Sequence, residues 1–162
     1  SLVNEFDNII VVHSFTKFYA VPGLRIGAAF SDPLIIEQIN SFIPTWSVNT
    51  LAQAYTEAAL NDVEYVKRTK QELREEQGFV YSSLDAIPSI TVYPPSANFI
   101  LFHINQEGIT AESINEALKK HNMIIRNCDS YMGLNNQWVR VAIKDHDTNV
   151  RLVEKLTDIL KV

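Results

Sequence analysis

Apolar positions along the chain follow two rhythms, one of short β-branched runs and one of helical spacing. Residues 8–14 (Asn-Ile-Ile-Val-Val-His-Ser) read as a buried strand. A loop with Pro22-Gly23 follows, and residues 25–30 (Arg-Ile-Gly-Ala-Ala-Phe) read as a second strand. Ser31-Asp32-Pro33 then opens a helix, with a capping side chain ahead of a proline in the first turn. That helix carries Leu34, Ile35, Ile39 and Phe42 and is expected to stop at Pro44. Residues 49–84 are helical in pattern, with Asn61-Asp62 as a dividing point. Between Glu64 and Gln77 charges of both signs crowd the sequence, as on a largely solvated helix.

Beyond Ile87-Pro88 the texture shifts to residues 90–93 and 98–104 as strands, a helix capped by Thr110, strands at 123–126 and 138–143, and a last helix over 147–160. Val150, Val153, Leu156, Ile159 and Leu160 make the apolar stripe of that helix. The order β-β-α-β-β-α predicts an α+β lobe with its helices on one sheet face. The first lobe, by contrast, has too few strands to cover a two-faced apolar sheet, so residues ahead of Ser1 are expected to complete it.

Composition narrows the class. Apolar residues make up 46% and charged residues 20%, which excludes a disordered or fibrous chain. A net charge of −5 argues against a nucleic-acid binder that relies on general phosphate attraction. No apolar run approaches the ~18 residues of a membrane span, and no signal-peptide pattern opens the chain. Cys128 is the single cysteine, so no internal disulfide is possible and a reducing cytoplasm is expected. The four histidines show no metal-ligand spacing, and no metal is expected. Cys128 reads as a small packing residue near a strand end, Asn49 as a helix cap, and Phe18 and Tyr19 as packing around the loop that follows the first strand.

Chemistry concentrates in Ser14-Phe15-Thr16-Lys17 and the following Pro22-Gly23-Leu24-Arg25-Ile26-Gly27. An amine held at a sheet end and partly desolvated favours its neutral nucleophilic form, which can condense with an aldehyde to a Schiff base. The hydroxyls of Ser14 and Thr16 and the planar fork of Arg25 are donors suited to one anion. Together they suit an aldehyde that carries a phosphate, pyridoxal phosphate; the competing reading of the same residues is a surface lysine in a turn at Lys17 and an edge-strand charge at Arg25. A second pair of cations, Arg126 and Arg140, sits in or beside apolar strands, where an unpaired charge is costly and either a structural carboxylate or a ligand anion must answer it. Tyr131 is a weaker candidate for facing substrate.

The pattern Ser-x-Thr-Lys-x4-Pro-Gly-Leu-Arg-x-Gly resembles that of the fold-type I pyridoxal-phosphate enzymes of the aminotransferase class I/II superfamily. The resemblance implies an α/β, PLP-dependent transferase-like fold. Residues 1–50 would be the C-terminal portion of the large cofactor-binding domain, 51–80 an interdomain helix, and 81–162 a small α+β domain. It implies that Lys17 is the catalytic lysine bound to the cofactor, and that Ser14, Thr16 and Arg25 hold the cofactor phosphate. Arg140 would take the substrate α-carboxylate and Arg126 a second anion. Arg126-Asn127-Cys128, Gly133-Leu134 and Val139-Arg140-Val141-Ala142, with Trp46-Ser47-Val48-Asn49, look similar to the branch acting on phosphorylated substrates, and closer to its threonine-phosphate decarboxylases than to its histidinol-phosphate aminotransferases. The resemblance further implies a cytoplasmic homodimer whose remaining cofactor contacts lie upstream, so that this piece by itself is expected to have little or no turnover and weak cofactor binding. A cofactor-free binding or regulatory module of the same fold is the competing expectation from another class.

Overall fold

Residues 2–160 are described by the computed structural model of the chain, which divides into two compact units, residues 1–65 and 66–162. In the first unit, β1 (Val11–Ser14) and β2 (Gly27–Phe30) form an antiparallel two-stranded sheet, with Val11 opposite Phe30 and Ser14 opposite Gly27. Helix α1 (Pro33–Phe42) starts where expected: the Asp32 carboxylate accepts the Leu34 N–H at 2.9 Å and Pro33 fills the first turn. Helix α2 (Thr50–Asn61) is capped by Asn49, whose Oδ1 accepts the Ala52 N–H at 2.8 Å. It breaks at Asp62, whose side chain accepts the Tyr65 N–H at 2.8 Å and so begins α3 (Val63–Asp85). The long helical stretch is therefore two helices, divided at the expected point.

Two readings of the first unit are corrected. The β-branched run at 8–14 is paired only from Val11 on, and β1 is exposed throughout, with Val12 at 76%. Such residues signal a strand covered on both faces, but the described residues supply only one neighbouring strand. Arg25 is not in a strand. A short 3-10 turn at Pro22–Leu24 ends on Arg25 in the left-handed region (φ 51°), and β2 begins two residues later. Gly27 is required where the strands meet, because a Cβ there would lie 2.7 Å from the His13 carbonyl oxygen.

The second unit contains an antiparallel sheet in the order β3-β4-β6-β5, formed by β3 (Ile90–Val92), β4 (Phe99–Ile104), β5 (Arg126–Asn127) and β6 (Trp138–Ala142). Helix α4 (Ala111–Lys119) lies between β4 and β5 in sequence, and α5 (His146–Leu160) follows β6, which is the β-β-α-β-β-α order expected. Thr110 and Ser113 form a reciprocal capping box at the start of α4. Alternation along the strands sends Ile90, Val92, Ile100, Phe102, Ile104, Val139 and Val141 into a core shared with Ile114 and Leu118 of α4, Leu152, Leu156 and Leu160 of α5, and Val80 and Leu84 of α3. Each such side chain, once fully buried, contributes about 1.5–3 kcal/mol. The expected strand at 123–126 shrinks to Arg126–Asn127 because a side chain intervenes. Asn115 of α4, itself buried, accepts the Ile125 N–H at 2.9 Å and donates to the Ile125 carbonyl at 3.1 Å, satisfying the groups a ladder would have used.

Candidate functional site

The lysine-bearing loop starts where β1 runs out of partners. The Phe15 N–H still reaches the Ile26 carbonyl at 3.3 Å, after which the chain turns on bonds from the Tyr19, Ala20 and Val21 N–H groups to the carbonyls of Phe15, Lys17 and Thr16. Ala20 takes a left-handed conformation (φ 54°). Ser14 and Thr16 bring their hydroxyls within 2.9 Å of each other. Arg25 lies two residues ahead of Gly27, the residue paired with Ser14 at the end of the ladder. The Arg25 guanidinium donates to the Pro22 carbonyl at 2.9 Å. Two hydroxyls and a guanidinium at one end of one hairpin, next to a lysine, are the donor chemistry of a phosphate site, and pyridoxal phosphate fits that set. Lys17 itself is exposed, so the described residues do not supply the partial desolvation expected of it.

The surroundings of the loop are aromatic. Phe15 and Tyr19 are buried, Phe18 meets Tyr19 edge-on at 5.0 Å, and Tyr65 stacks on Tyr19 at 5.8 Å. Phe18 and Tyr19 thus pack around the loop as expected. Tyr55 and Tyr65 lie in no sequence motif, yet their hydroxyls donate to the Tyr19 carbonyl at 3.1 Å and the Phe18 carbonyl at 2.7 Å. Their distance in sequence hid them. The Asn49 amide adds a longer bond to the Leu24 carbonyl, at 3.4 Å.

In the second unit the two arginines are brought together. Arg126 on β5 is the direct cross-strand partner of Arg140 on β6, an arrangement of like charges that costs stability unless something neutralises it. Among the described residues, neither guanidinium has a carboxylate partner. The Arg126 guanidinium instead donates to the Ser130 hydroxyl at 3.0 Å and lies over the Tyr131 ring at 5.5 Å. Arg140 lies over the Phe99 ring at 4.8 Å. These neutral contacts hold the cations without cancelling their charge. Phe99 and Ser130 are further residues that sequence reasoning missed, since neither lies in a motif. Cys128 is buried just beyond β5, its N–H bonded to the Trp138 carbonyl at 3.0 Å. Burial pushes its thiol up from the usual range, with the charges of Arg140 and Arg126 pulling the other way. It is a packing group at a strand end rather than a reactive thiolate.

Among the described residues no group of three or more histidines, cysteines and acids is placed to hold a metal, and no helix is long and apolar enough to cross a membrane.

Comparison with known proteins gives the family and the fold. The sequence profile described as "Aminotransferase class I and II" matches residues 1–156. The chain is 38% identical over 159 residues to the threonine-phosphate decarboxylase of Salmonella typhimurium, covering 98% of this chain and 43% of that protein. It is 30% identical over 161 residues to the histidinol-phosphate aminotransferase of Methanosphaera stadtmanae, covering 99% and 44%. Among solved structures, the histidinol-phosphate aminotransferase from Clostridium acetobutylicum superposes with a TM-score of 0.91 at 28% identity, over 97% of this chain and 47% of that one. The chain spans less than half the length of the curated relatives it matches.

Proposed function

The chain belongs to the aminotransferase class I and II family, and on that premise we propose that it is the lysine- and arginine-bearing part of an enzyme that uses pyridoxal phosphate to decarboxylate L-threonine O-3-phosphate. The observation that carries this reading is the direct pairing of Arg126 with Arg140, without a carboxylate partner among the described residues. Two neighbouring cations match a small substrate with two anionic ends, a carboxylate and a phosphate. The 38% identity to a threonine-phosphate decarboxylase supports the same choice.

The cofactor, when bound, supplies an electron sink for the bond broken at the substrate α-carbon. The remaining work belongs to the chain. Ser14, Thr16 and Arg25 hold the cofactor phosphate. The Lys17 amine would be the group that binds the cofactor aldehyde, and it would carry the proton delivered to the substrate carbon. Arg140 takes the α-carboxylate and Arg126 the second anion, which fixes which bond at that carbon is aligned for cleavage.

The test is a product assay on the complete enzyme: threonine phosphate in, aminopropanol phosphate and carbon dioxide out. Transfer of the histidinol-phosphate amino group to 2-oxoglutarate would instead favour the second reading, a histidinol-phosphate aminotransferase, for which the similarity to such enzymes speaks. Arg140→Ala is expected to lower kcat/KM by about a hundredfold to a thousandfold with the cofactor still bound. Unchanged turnover would remove Arg140 from the carboxylate role. Absence of any visible band with added cofactor would point to the cofactor-free module.

A further inference from the structure

The turn after β1 uses the carbonyls of Phe15, Thr16 and Lys17 for its own hydrogen bonds and leaves over those of Phe18 and Tyr19, the two residues that follow the lysine. Both leftover carbonyls are taken by tyrosine hydroxyls from far along the chain, Phe18 by Tyr65 at 2.7 Å and Tyr19 by Tyr55 at 3.1 Å. The next residue, Ala20, holds a left-handed backbone that a residue with a Cβ keeps only when its surroundings enforce it. The Tyr65 ring also stacks on Tyr19 and meets Phe18 edge-on at 5.9 Å, so it grips the side chains as well as the backbone. The Lys17 side chain is exposed, so what the loop fixes is the backbone from which the amine extends.

We propose that Tyr55 and Tyr65 are positioning residues, whose hydroxyls clamp the backbone after Lys17 and so fix its amine relative to the phosphate donors Ser14, Thr16 and Arg25. The proposal rests on the reading of these four residues as the cofactor set. Its physical content is effective concentration: a phosphate held by the donors presents its aldehyde to an amine already in place, and a loosened loop loses that advantage.

The experiment compares reductive labelling of the chain by pyridoxal phosphate and by pyridoxal, which has the aldehyde without the phosphate. The lysine amine condenses with the aldehyde, releasing water, and borohydride reduces the C=N bond to a stable secondary amine that peptide mapping locates. In the unaltered chain Lys17 is expected to be labelled faster by the phosphorylated aldehyde, while Lys119 on α4 serves as an internal reference. Tyr55→Phe and Tyr65→Phe are each expected to cut that phosphate-dependent preference at Lys17 about fivefold, with the Lys119 rates unchanged. If one of these variants loses helical signal, the other carries the test. A preference at Lys17 that survives both single substitutions overturns the clamp alone. No preference at Lys17 in the unaltered chain overturns the cofactor set, and the clamp with it.

Discussion

The two units hold themselves together by different means. In residues 66–162 a continuous apolar core runs through the sheet, both of its helices and the end of α3. In residues 1–65 the buried apolar side chains are Phe15, Tyr19 and Ala52, while Val12, Leu34, Phe42, Trp46 and Leu51 stand exposed. Shape there is kept by hydrogen bonds across long sequence separations: Tyr55 and Tyr65 to the lysine loop, Asn49 to Leu24, and Ser31 to the Ile9 carbonyl at 2.7 Å. Directional bonds to a backbone fix a loop in one place, whereas apolar packing gives most of the free energy. The unit that bears the lysine is thus specified by polar geometry and the other by burial.

That contrast can be tested by substitution. The largest effect belongs to the packed unit: Phe102→Ala, at a fully buried position of β4, is expected to cost about 3–5 kcal/mol in denaturant unfolding. A smaller loss there would mean that the core is looser than its burial implies. Gly27→Ala should cost about 1–3 kcal/mol, because the added methyl meets the rigid His13 carbonyl rather than a flexible side chain. Val12→Ala, although a large β-branched residue in a strand, is expected to change stability by less than about 0.5 kcal/mol, since the side chain is mostly in solvent. A loss of several kcal/mol at Val12 would break the comparison, showing that the β1 face is covered in the protein measured.

The smallest effect is one of pH. Asp145 accepts the Thr148 N–H at 3.0 Å and its hydroxyl at 2.9 Å ahead of α5, and these bonds hold its carboxyl below the ordinary 3.8. A carboxyl depressed in the folded state contributes stability that is complete above its unfolded value and is lost as pH falls through the folded one. The difference in melting temperature between the unaltered protein and Asp145→Ala should therefore shrink as pH drops below about 4. A difference that stayed constant with pH would assign the stabilisation to something other than the ionised cap.

Much of the second unit was legible from periodicity, because its elements are buried on one face and the alternation of Ile100, Phe102 and Ile104, or the stripe of α5, follows directly from that burial. The helix starts at Asp32, Asn49 and Thr110 were legible from capping chemistry. What could not be read were places where a distant group changes local preference. Ile125 has a strand-like sequence but hands its backbone to Asn115. Arg25 follows a proline-glycine turn that leaves it left-handed before β2 resumes. For the site, the motif marked Ser14, Thr16, Lys17 and Arg25, and the β5–β6 register then showed Arg126 and Arg140 as direct partners. The tyrosines that hold the lysine loop were invisible, because a hydroxyl reaching back 36 or 47 residues leaves no local trace.

The sealed thiol at Cys128 gives the molecule a built-in clock. Since no other sulfhydryl competes for reagent, the rate at which an alkylating probe modifies the native protein reports how often the end of β5 breathes open, with no label introduced. Such a trace would follow the α+β unit selectively and stay silent to motions confined to the hairpin.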